Sequence, residues 1–212
     1  MFAPAALLLK RGVSDGKKLT LGILGSGRGS NFVAVADAIK NTGLAAEIRL
    51  VLSDVADAPI LTHAQEYGVP HRHIPPGRFR TKLDEEAEAL YIRSLQDAGV
   101  EWVILAGFMR ILKGDFLRAY TNRVINIHPS LLPSFPGLAA WKQALEYGVK
   151  VTGCTVHIVD QGIDTGTILG QRTVEVLPSD DPKSLHTRIR EQEHQLLPEI
   201  LARLAAGSLP AE

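Results

Sequence analysis

The sequence has little of what secreted, membrane-spanning or nucleic-acid-binding proteins need. Cys154 is the single cysteine among 212 residues, so no internal disulfide can form, as is typical of proteins from a reducing compartment. No apolar run approaches the roughly 20 residues that span a bilayer. Lysine plus arginine and aspartate plus glutamate number 23 each, so the sequence lacks the basic excess of most nucleic-acid-binding proteins. We therefore expect a cytoplasmic protein that binds neither membranes nor nucleic acid.

What the sequence does contain is typical of a folded α/β protein. The hydrophobic fraction is 45% and the charged fraction 22%, which are ordinary globular values and exclude disorder and collagen-like repeats. The apolar stretch at 2–9 comes before Lys10 and Arg11, whereas a secretory signal has its charges first. We expect residues 1–18 to form a flexible extension and residues 19–207 to form a single domain.

From residue 19 onward, apolar β-type runs alternate with segments of helical periodicity. This alternation predicts an α/β fold with a doubly wound mixed sheet, whose N-terminal half is parallel and Rossmann-like. The short connection at 160–166 favours an antiparallel C-terminal pair. The predicted strands cover 19–24, 47–53, 71–74, 102–106, 124–127, 151–159 and 167–176, and the predicted helices cover 32–39, 60–67, 81–96, 139–147 and 182–205.

A glycine-rich loop lies between the first strand and the first helix, with the sequence GSGRGSN at 25–31. Backbone amides at a helix start favour an anion, so we expect Gly29, Ser30 and Asn31 to hold a phosphate. The alternative is a tight turn in which Ser30 or Asn31 only caps the helix. The loop matches neither GxGxxG nor a Walker A motif, and Asp54 is a weak candidate for a dinucleotide ribose contact.

A polar pair marks the carboxyl end of a central strand. Asn126 and His128 point to the same face because side chains alternate along a strand, and Pro129 favours an extended backbone at His128. This end of an open α/β sheet is the usual ligand crevice. An amide donor beside a titratable imidazole can stabilise an oxyanion and move a proton, so we interpret the pair as catalytic.

The helix over 81–96 and the loop around Asp164 raise two further hypotheses. Thr81 and Asp84 are expected to cap that helix, which places Lys82 in its first turn, where a cation is disfavoured unless an anionic ligand is near. Asp164 either caps a turn or lies beside His128 and raises the pKa of its imidazole. No metal site is expected, because the pair of histidines at 71 and 73 has no third ligand at a recognisable spacing.

Four motifs occur in order along the chain: GSN at 29–31, AGFMRIL at 106–112, NIHPSLLP at 126–133 and DTG at 164–166. With them the sequence resembles the phosphoribosylglycinamide formyltransferase family, within the folate-dependent formyltransferase superfamily, over about 19–205. The resemblance implies the formyltransferase fold and a role in purine biosynthesis. It implies transfer of a formyl group from 10-formyltetrahydrofolate to the amine of glycinamide ribonucleotide, without a metal.

The resemblance also implies roles for individual residues. Asn126 would bind the oxygen of a tetrahedral adduct, His128 would act as proton donor and oxyanion stabiliser, and Asp164 would tune His128. The implied ribonucleotide contacts are Gly29, Ser30, Asn31, Arg190 and Glu193, although solvent exposure is the default expectation for the last two. The implied folate contacts are Lys82, Phe108, Met109, Arg110, Ile111, Leu112, Asn126, Asp160 and Asp164.

Two departures from the family pattern and several alternatives remain. Residues 139–141 read Ala-Ala-Trp where the family usually carries histidines, and Arg28 stands where it often has asparagine. A formyltetrahydrofolate hydrolase and a non-catalytic nucleotide-binding module stay open as functions, and a homodimer stays open as an assembly. A nicotinamide-dependent oxidoreductase is disfavoured by the failed GxGxxG pattern.

Overall fold

The computed structural model describes residues 18–209, which form seven strands and six helices. The strands are β1 (Leu19–Leu24), β2 (Ala46–Ser53), β3 (His71–His73), β4 (Trp102–Leu105), β5 (Val124–His128), β6 (Val151–Ile158) and β7 (Ile168–Glu175). The helices are α1 (Ser30–Thr42), α2 (Pro59–Glu66), α3 (Glu85–Asp97), α4 (Gly114–Ala119), α5 (Ala140–Tyr147) and α6 (Pro182–Ala205).

Two expectations concern the chain as a whole. One is about the residues before β1, and the other is about helices that could span a membrane. The predicted extension lies outside the described residues apart from residue 18, and its separation from one domain over 19–207 stays a prediction. Within the described range, every helix is too short or too polar to cross a bilayer.

The seven strands form one mixed sheet in the order β3-β2-β1-β4-β5-β6-β7. Strands β1 to β5 are parallel, and β6 is antiparallel to both β5 and β7, so the predicted fold class is confirmed. The chain reaches the β3 edge and returns to place β4 beside β1. At such a switch point the loops after two neighbouring parallel strands open a crevice. Here those loops are 25–29, after β1, and 106–112, after β4.

Both faces of the central strands β1, β4 and β5 are buried, which explains why these strands are mostly apolar, whereas the edge strands β3 and β7 carry exposed polar residues. Successive residues of β2 belong to different cores: Val51 packs into one cluster, and Leu50 and Leu52 into the other. The first cluster receives α1, α2 and α6, and the second receives α3 and α4. The helices therefore cover the two faces and leave the loops at the carboxyl edge to form a site.

Two details of the predicted helices are wrong. Helix α3 begins at Glu85, and its N-cap is Asp84, whose carboxylate accepts from the Ala87 amide at 3.0 Å. Lys82 therefore lies outside the helix, in a parallel bridge with Ile111, because that long-range pairing extends the backbone before the cap. Helix α4 was not predicted, since a six-residue helix shows too few turns for its periodicity to be recognised.

Candidate active site

Four polar side chains meet at the carboxyl edge of the sheet. Asn126 and His128 project from one face of β5, and the antiparallel register places His157 of β6 directly opposite Asn126. Asp164 comes from the loop that joins β6 to β7 and reaches back over both imidazoles. The structure thus brings together the three residues expected to be catalytic and adds a second histidine.

Asp164 lies between two imidazole rings. Its Oδ2 is 3.3 Å from His128 Nδ1 and accepts a hydrogen bond from the Gly137 amide at 2.8 Å, while its Oδ1 is 3.7 Å from His157 Nε2. The backbone of Asp164 has a φ of 55°, in the left-handed region that non-glycine residues seldom occupy. Such strain persists only where the surroundings hold it, and it is often found at functional sites.

The protonation of His128 differs from the prediction. Burial lowers the pKa of His128, and the neighbouring His157 lowers it further. The Phe135 carbonyl, which accepts from Nε2 at 2.9 Å, and the Asp164 carboxylate oppose that effect without reversing it. The expectation of a raised pKa was wrong because sequence identified the neighbouring carboxylate but could not measure the burial of the ring.

Asp164 itself stays ionised near neutral pH. Burial alone would raise the pKa of this carboxyl, but the adjacent His157 ring, the Gly137 amide and the His128 ring together lower it. The resting pair is therefore a carboxylate beside a neutral imidazole. A proton that arrives on His128 forms an ion pair with Asp164, so the pair can accept a proton and then release it.

His157 is the residue of this cluster that sequence reasoning missed. Its Nδ1 lies 2.8 Å from the Ile158 carbonyl, to which it donates, so its Nε2 accepts from the Asn126 amide nitrogen at 3.1 Å. This contact aims the Asn126 amide and leaves its second N–H to donate to a ligand oxygen. Finding His157 from the sequence required the register between β5 and β6, which no local pattern specifies.

The loop after β1 presents unsatisfied amides at the start of α1. Gly29 is the N-cap residue, in the left-handed conformation with φ 73°, and the helix start has no side-chain cap. The alternative in which Ser30 or Asn31 caps the helix is therefore wrong. Asn31 instead donates its Nδ2 to Glu193 at 3.0 Å, and its buried Oδ1 has no hydrogen-bond partner among the described residues. This end of α1 is suited to an anion.

Glu193 of α6 is 5% exposed, contrary to the default expectation for a charged residue on a helix. Burial raises its pKa to about 7, and the Asn31 hydrogen bond and the charge of Arg190 only partly oppose this. Arg190 donates to the Thr187 hydroxyl at 3.1 Å, and its Nε is buried without a partner in the described part of the chain. A polar group that the protein leaves unpaired beside a buried carboxyl is an available ligand contact.

A positively charged region adjoins this carboxyl. His186, one turn before Arg190, stacks on Trp141 with ring centroids 3.7 Å apart and planes 5° from parallel. Burial, and then the charges of Arg190 and Arg28, lower the pKa of His186 to about 4. The two guanidinium groups therefore lie near one neutral ring, which Trp141 covers by stacking.

The segment expected to bind folate divides into buried and exposed residues. Phe108 packs against Tyr91 with centroids 5.8 Å apart, and Leu112 is also buried. Met109 and Ile111, which lie between Phe108 and Leu112 in sequence, are exposed. The backbone of Lys82 forms a parallel bridge with that of Ile111. Buried side chains fix this segment, so its exposed side chains and free backbone groups are the ones that a ligand can reach.

The loop between β6 and β7 is closed by its own polar groups. Asp160 Oδ1 accepts from the Gly162 amide at 3.0 Å and from the Thr165 hydroxyl at 2.7 Å. Ile163 is exposed at its tip. The described residues contain no group of three or more histidine, cysteine or acidic side chains placed to hold a metal ion.

Comparison with known proteins decides which family has this site. A protein-family model described as Formyl transferase matches residues 20–201. The phosphoribosylglycinamide formyltransferase of Bacillus subtilis (strain 168) is 37% identical over 86% of this chain and 92% of its own length. The chain belongs to the phosphoribosylglycinamide formyltransferase family. The resemblance inferred from the four motifs is therefore confirmed.

A solved formyltransferase and a longer relative extend the comparison. The crystal structure of glycinamide ribonucleotide transformylase 1 from Symbiobacterium toebii superimposes with a TM-score of 0.86 and 43% identity, over 91% of this chain and 90% of that one. The trifunctional purine biosynthetic protein adenosine-3 of Drosophila pseudoobscura pseudoobscura is 48% identical over 88% of this chain. The chain spans only 14% of the length of that relative.

The buried Glu193 makes the stability of this protein depend on pH. Its pKa is raised above its ordinary value of 4.5, so the stability it contributes is fully present below that value and is lost as the pH rises through about 7. Glu193→Gln stays neutral at every pH. We expect the fall in unfolding free energy between pH 5 and pH 8 to be smaller in this variant by roughly 2 kcal/mol.

Urea unfolding at the two pH values measures this difference. Glu199→Gln is the matched control, because Glu199 lies on the same helix but is half exposed and paired with Arg172 at 2.8 Å. The control is expected to keep the pH dependence of the wild type. An equal loss of stability in the wild type and Glu193→Gln would contradict the assignment.

Proposed function

We propose that this chain transfers the formyl group of 10-formyltetrahydrofolate to the amine of glycinamide ribonucleotide in de novo purine biosynthesis. The products are formylglycinamide ribonucleotide and tetrahydrofolate. The observation that carries this proposal is the cluster of Asn126, His128 and Asp164 at the same sheet edge as the unsatisfied start of α1. The names of the family members at 37% and 43% identity support it.

The cluster can perform the transfer with a single proton relay. The amine nitrogen attacks the formyl carbon, and the second N–H of Asn126 donates to the oxygen of the tetrahedral adduct. Neutral His128 accepts the proton that the amine loses, and Asp164 stabilises the resulting imidazolium. His128 then returns the proton to N10 of the folate as the carbon–nitrogen bond breaks. The proton donor role expected from the sequence thus becomes the second half of the relay.

The ribonucleotide occupies the α1 side of the site in this proposal. Its phosphate lies at the backbone amides of Gly29, Ser30 and Asn31, where the helix dipole and the nearby Arg190 favour negative charge. Glu193 accepts hydrogen bonds from the nucleotide when it is ionised. Support comes from the unpaired Asn31 Oδ1 and Arg190 Nε, which are polar atoms without a protein partner among the described residues.

The formylfolate occupies the side formed by the β4 loop and the β6–β7 loop. The residues proposed to line it by exposed side chains are Lys82, Met109 and Ile111, and those proposed to contribute through backbone groups or by holding the loops are Phe108, Arg110, Leu112, Asp160 and Asp164. Asn126 and Asp164 then face both substrates. The supporting observation is the pairing of Lys82 with Ile111, which places a cation beside the exposed residues of the β4 loop.

Gly29 tests the phosphate side of this proposal. A Cβ there would meet three atoms of Ile60 at 2.7 to 2.8 Å, so we expect Gly29→Ala to move the start of α1. The dissociation constant for the ribonucleotide should rise at least about tenfold, because the amides no longer converge on the phosphate. Isothermal titration calorimetry measures it.

Gly43→Ala is the matched control. Gly43 has the same φ of 73° at the other end of α1, but no atom lies within 4 Å of the added Cβ. Both variants carry the cost of a left-handed alanine, roughly 1 kcal/mol, and only Gly29→Ala adds the clash. If both variants bind the ribonucleotide equally well, the phosphate does not lie at this helix start.

The decisive experiment measures formyl transfer by the purified protein with both substrates and in a mixture without the ribonucleotide. Loss of the formyl group from the folate only when the ribonucleotide is present supports the transferase. Loss without the ribonucleotide indicates a formyltetrahydrofolate hydrolase, and no loss in either mixture indicates a non-catalytic binding module. Cytoplasmic location and a homodimeric assembly stay predictions.

A further inference from the structure

A chain of contacts joins the three loops that frame the site. The Ser26 hydroxyl donates to Asp54 Oδ1 at 2.5 Å, and Arg110 Nε donates to Asp54 Oδ2 at 2.7 Å. The Met109 amide donates to the same Ser26 hydroxyl at 2.8 Å. Ser26 follows β1, Asp54 follows β2, and Met109 and Arg110 follow β4. One carboxylate therefore connects three segments that are far apart in sequence.

The Asp54 charge in this chain of contacts is buried, and the Arg110 charge is partly buried. The Asp54 side chain is 1% exposed and the Arg110 side chain 18%. Arg110 also donates from Nη1 to the carbonyl of Arg80, which precedes Lys82. Both oxygens of Asp54 are engaged by Ser26 and Arg110, so this residue is not placed to hold a dinucleotide ribose, the weak role considered from the sequence.

The loop after β1 is held by different contacts at its two ends. One end lies on the proposed folate side and the other on the proposed ribonucleotide side. The Ser26 part is attached to the β4 loop, through its hydroxyl and through its own amide, which donates to the Gly107 carbonyl at 3.1 Å. The Gly27 carbonyl instead accepts from the Ile60 amide of α2 at 3.1 Å, next to Gly29. A change at Asp54 should therefore displace the β4 loop before it displaces the start of α1.

We propose that Asp54 and Arg110 are positioning residues for the folate side of the reaction, and call Ser26, Asp54 and Arg110 the clamp. The clamp holds Met109 and Ile111 in the geometry that receives formylfolate, although none of its own charged groups contacts substrate. This inference rests on the proposed function, because it assigns the β4 loop to the folate. It makes Arg110 a residue that acts through its partner rather than a direct ligand contact.

Asp54→Asn keeps the shape of the carboxylate and removes its charge. The partly buried guanidinium of Arg110 then has no counter-ion at Asp54, and we expect the Met109–Ile111 backbone to shift. The Michaelis constant for 10-formyltetrahydrofolate should rise about tenfold or more, whereas that for the ribonucleotide should change less than about threefold. Arg110→Gln should show the same split, and the double variant should be no worse than the worse single variant.

Asp180→Asn controls for the simple loss of a buried ion pair. Asp180 is 3% exposed and pairs with Arg188, which is 30% exposed, at the start of α6. This control should lose stability without raising the Michaelis constant for the folate. Ser26→Ala is the milder second variant in case Asp54→Asn fails to fold, and it should raise the folate constant about threefold because the Met109 amide loses its acceptor.

Amide hydrogen exchange provides a readout that does not depend on turnover. The Met109 amide should exchange at least about tenfold faster in Asp54→Asn and Ser26→Ala than in the wild type and Asp180→Asn. If the wild-type protein shows no ribonucleotide-dependent formyl transfer, the proposed function is wrong, whatever amide hydrogen exchange shows. Normal transfer with an unchanged folate constant in Asp54→Asn and Ser26→Ala would overturn the clamp alone.

Discussion

His128→Ala is expected to lower kcat for formyl transfer by about three to four orders of magnitude, because the variant loses the group that carries the proton and its charge. The imidazole lies within reach of both Asp164 and the Phe135 carbonyl, whereas the neighbouring His157 ring is engaged by the Ile158 carbonyl and the Asn126 amide. Ribonucleotide binding should change less than about threefold, since its proposed contacts lie on α1 and α6. Steady-state kinetics and calorimetry together measure the two effects.

His71→Ala is the control for this substitution. His71 lies on the edge strand β3, is exposed, and has one ring contact with the Val69 carbonyl. Its removal should leave kcat within about twofold of the wild type. Turnover of His128→Ala above about a tenth of the wild-type rate would show that His128 does not relay the proton.

Asp164→Asn is expected to have the second largest effect. The carboxylate normally raises the pKa of His128 against burial, so its removal lowers that pKa further. Neutral His128 must accept a proton, and the rate therefore rises as the pH increases through the pKa of His128. This acidic limb should move to lower pH in the variant. At its plateau kcat should fall about 100- to 1,000-fold, because the imidazolium formed during transfer has lost its partner.

The pH–rate profile and the NMR titration of the His128 ring measure this shift independently. Asp97→Asn is the control. Asp97 ends α3, which leads into the amino end of β4, whereas the site lies at the carboxyl ends of the strands. It should leave both curves unchanged. If the acidic limb stays in place in Asp164→Asn while the NMR titration moves, the limb belongs to a group other than His128. If neither moves, Asp164 does not tune the imidazole.

His157 connects the Asn126 amide with the Asp164 carboxylate, which also pairs with His128. Its Nδ1 donates to the Ile158 carbonyl, so its Nε2 is left to hold the Asn126 amide. Asp164 approaches that same nitrogen at 3.7 Å while it pairs with His128. The proposed oxyanion donor and proton relay are therefore aligned by a shared set of contacts, and a change at one should disturb the other.

Local sequence patterns were enough for much of the fold. The first strand, Leu19–Leu24, and the last helix, Pro182–Ala205, match their predicted bounds, because each is an apolar pattern with a clear stop or start. The order of strands and helices indicated a doubly wound sheet, since short connections and right-handed crossovers leave few other topologies. The glycine-rich loop at 25–31 and the Asn126–His128 pair could likewise be located by their place after a strand or at its end.

Other features depended on contacts between distant segments. The start of α3 was misplaced because Lys82 pairs with Ile111 instead of entering the helix. His157 was missed because its role depends on the β5–β6 register. The contact between Asp164 and His128 could be stated only as one of two hypotheses, because a loop position does not specify where its side chain lies.

The sequence by itself determined the fold class, the family resemblance and the chemical groups available for a reaction, because strand and helix periods and motif spacings are local properties of the chain. Only the tertiary structure decided how those groups are charged. Burial gives His128 a lowered pKa despite its carboxylate neighbour, and it raises the pKa of Glu193 on a helix position that would ordinarily be exposed. Desolvation depends on every element packed around a group, and no spacing in the sequence records it.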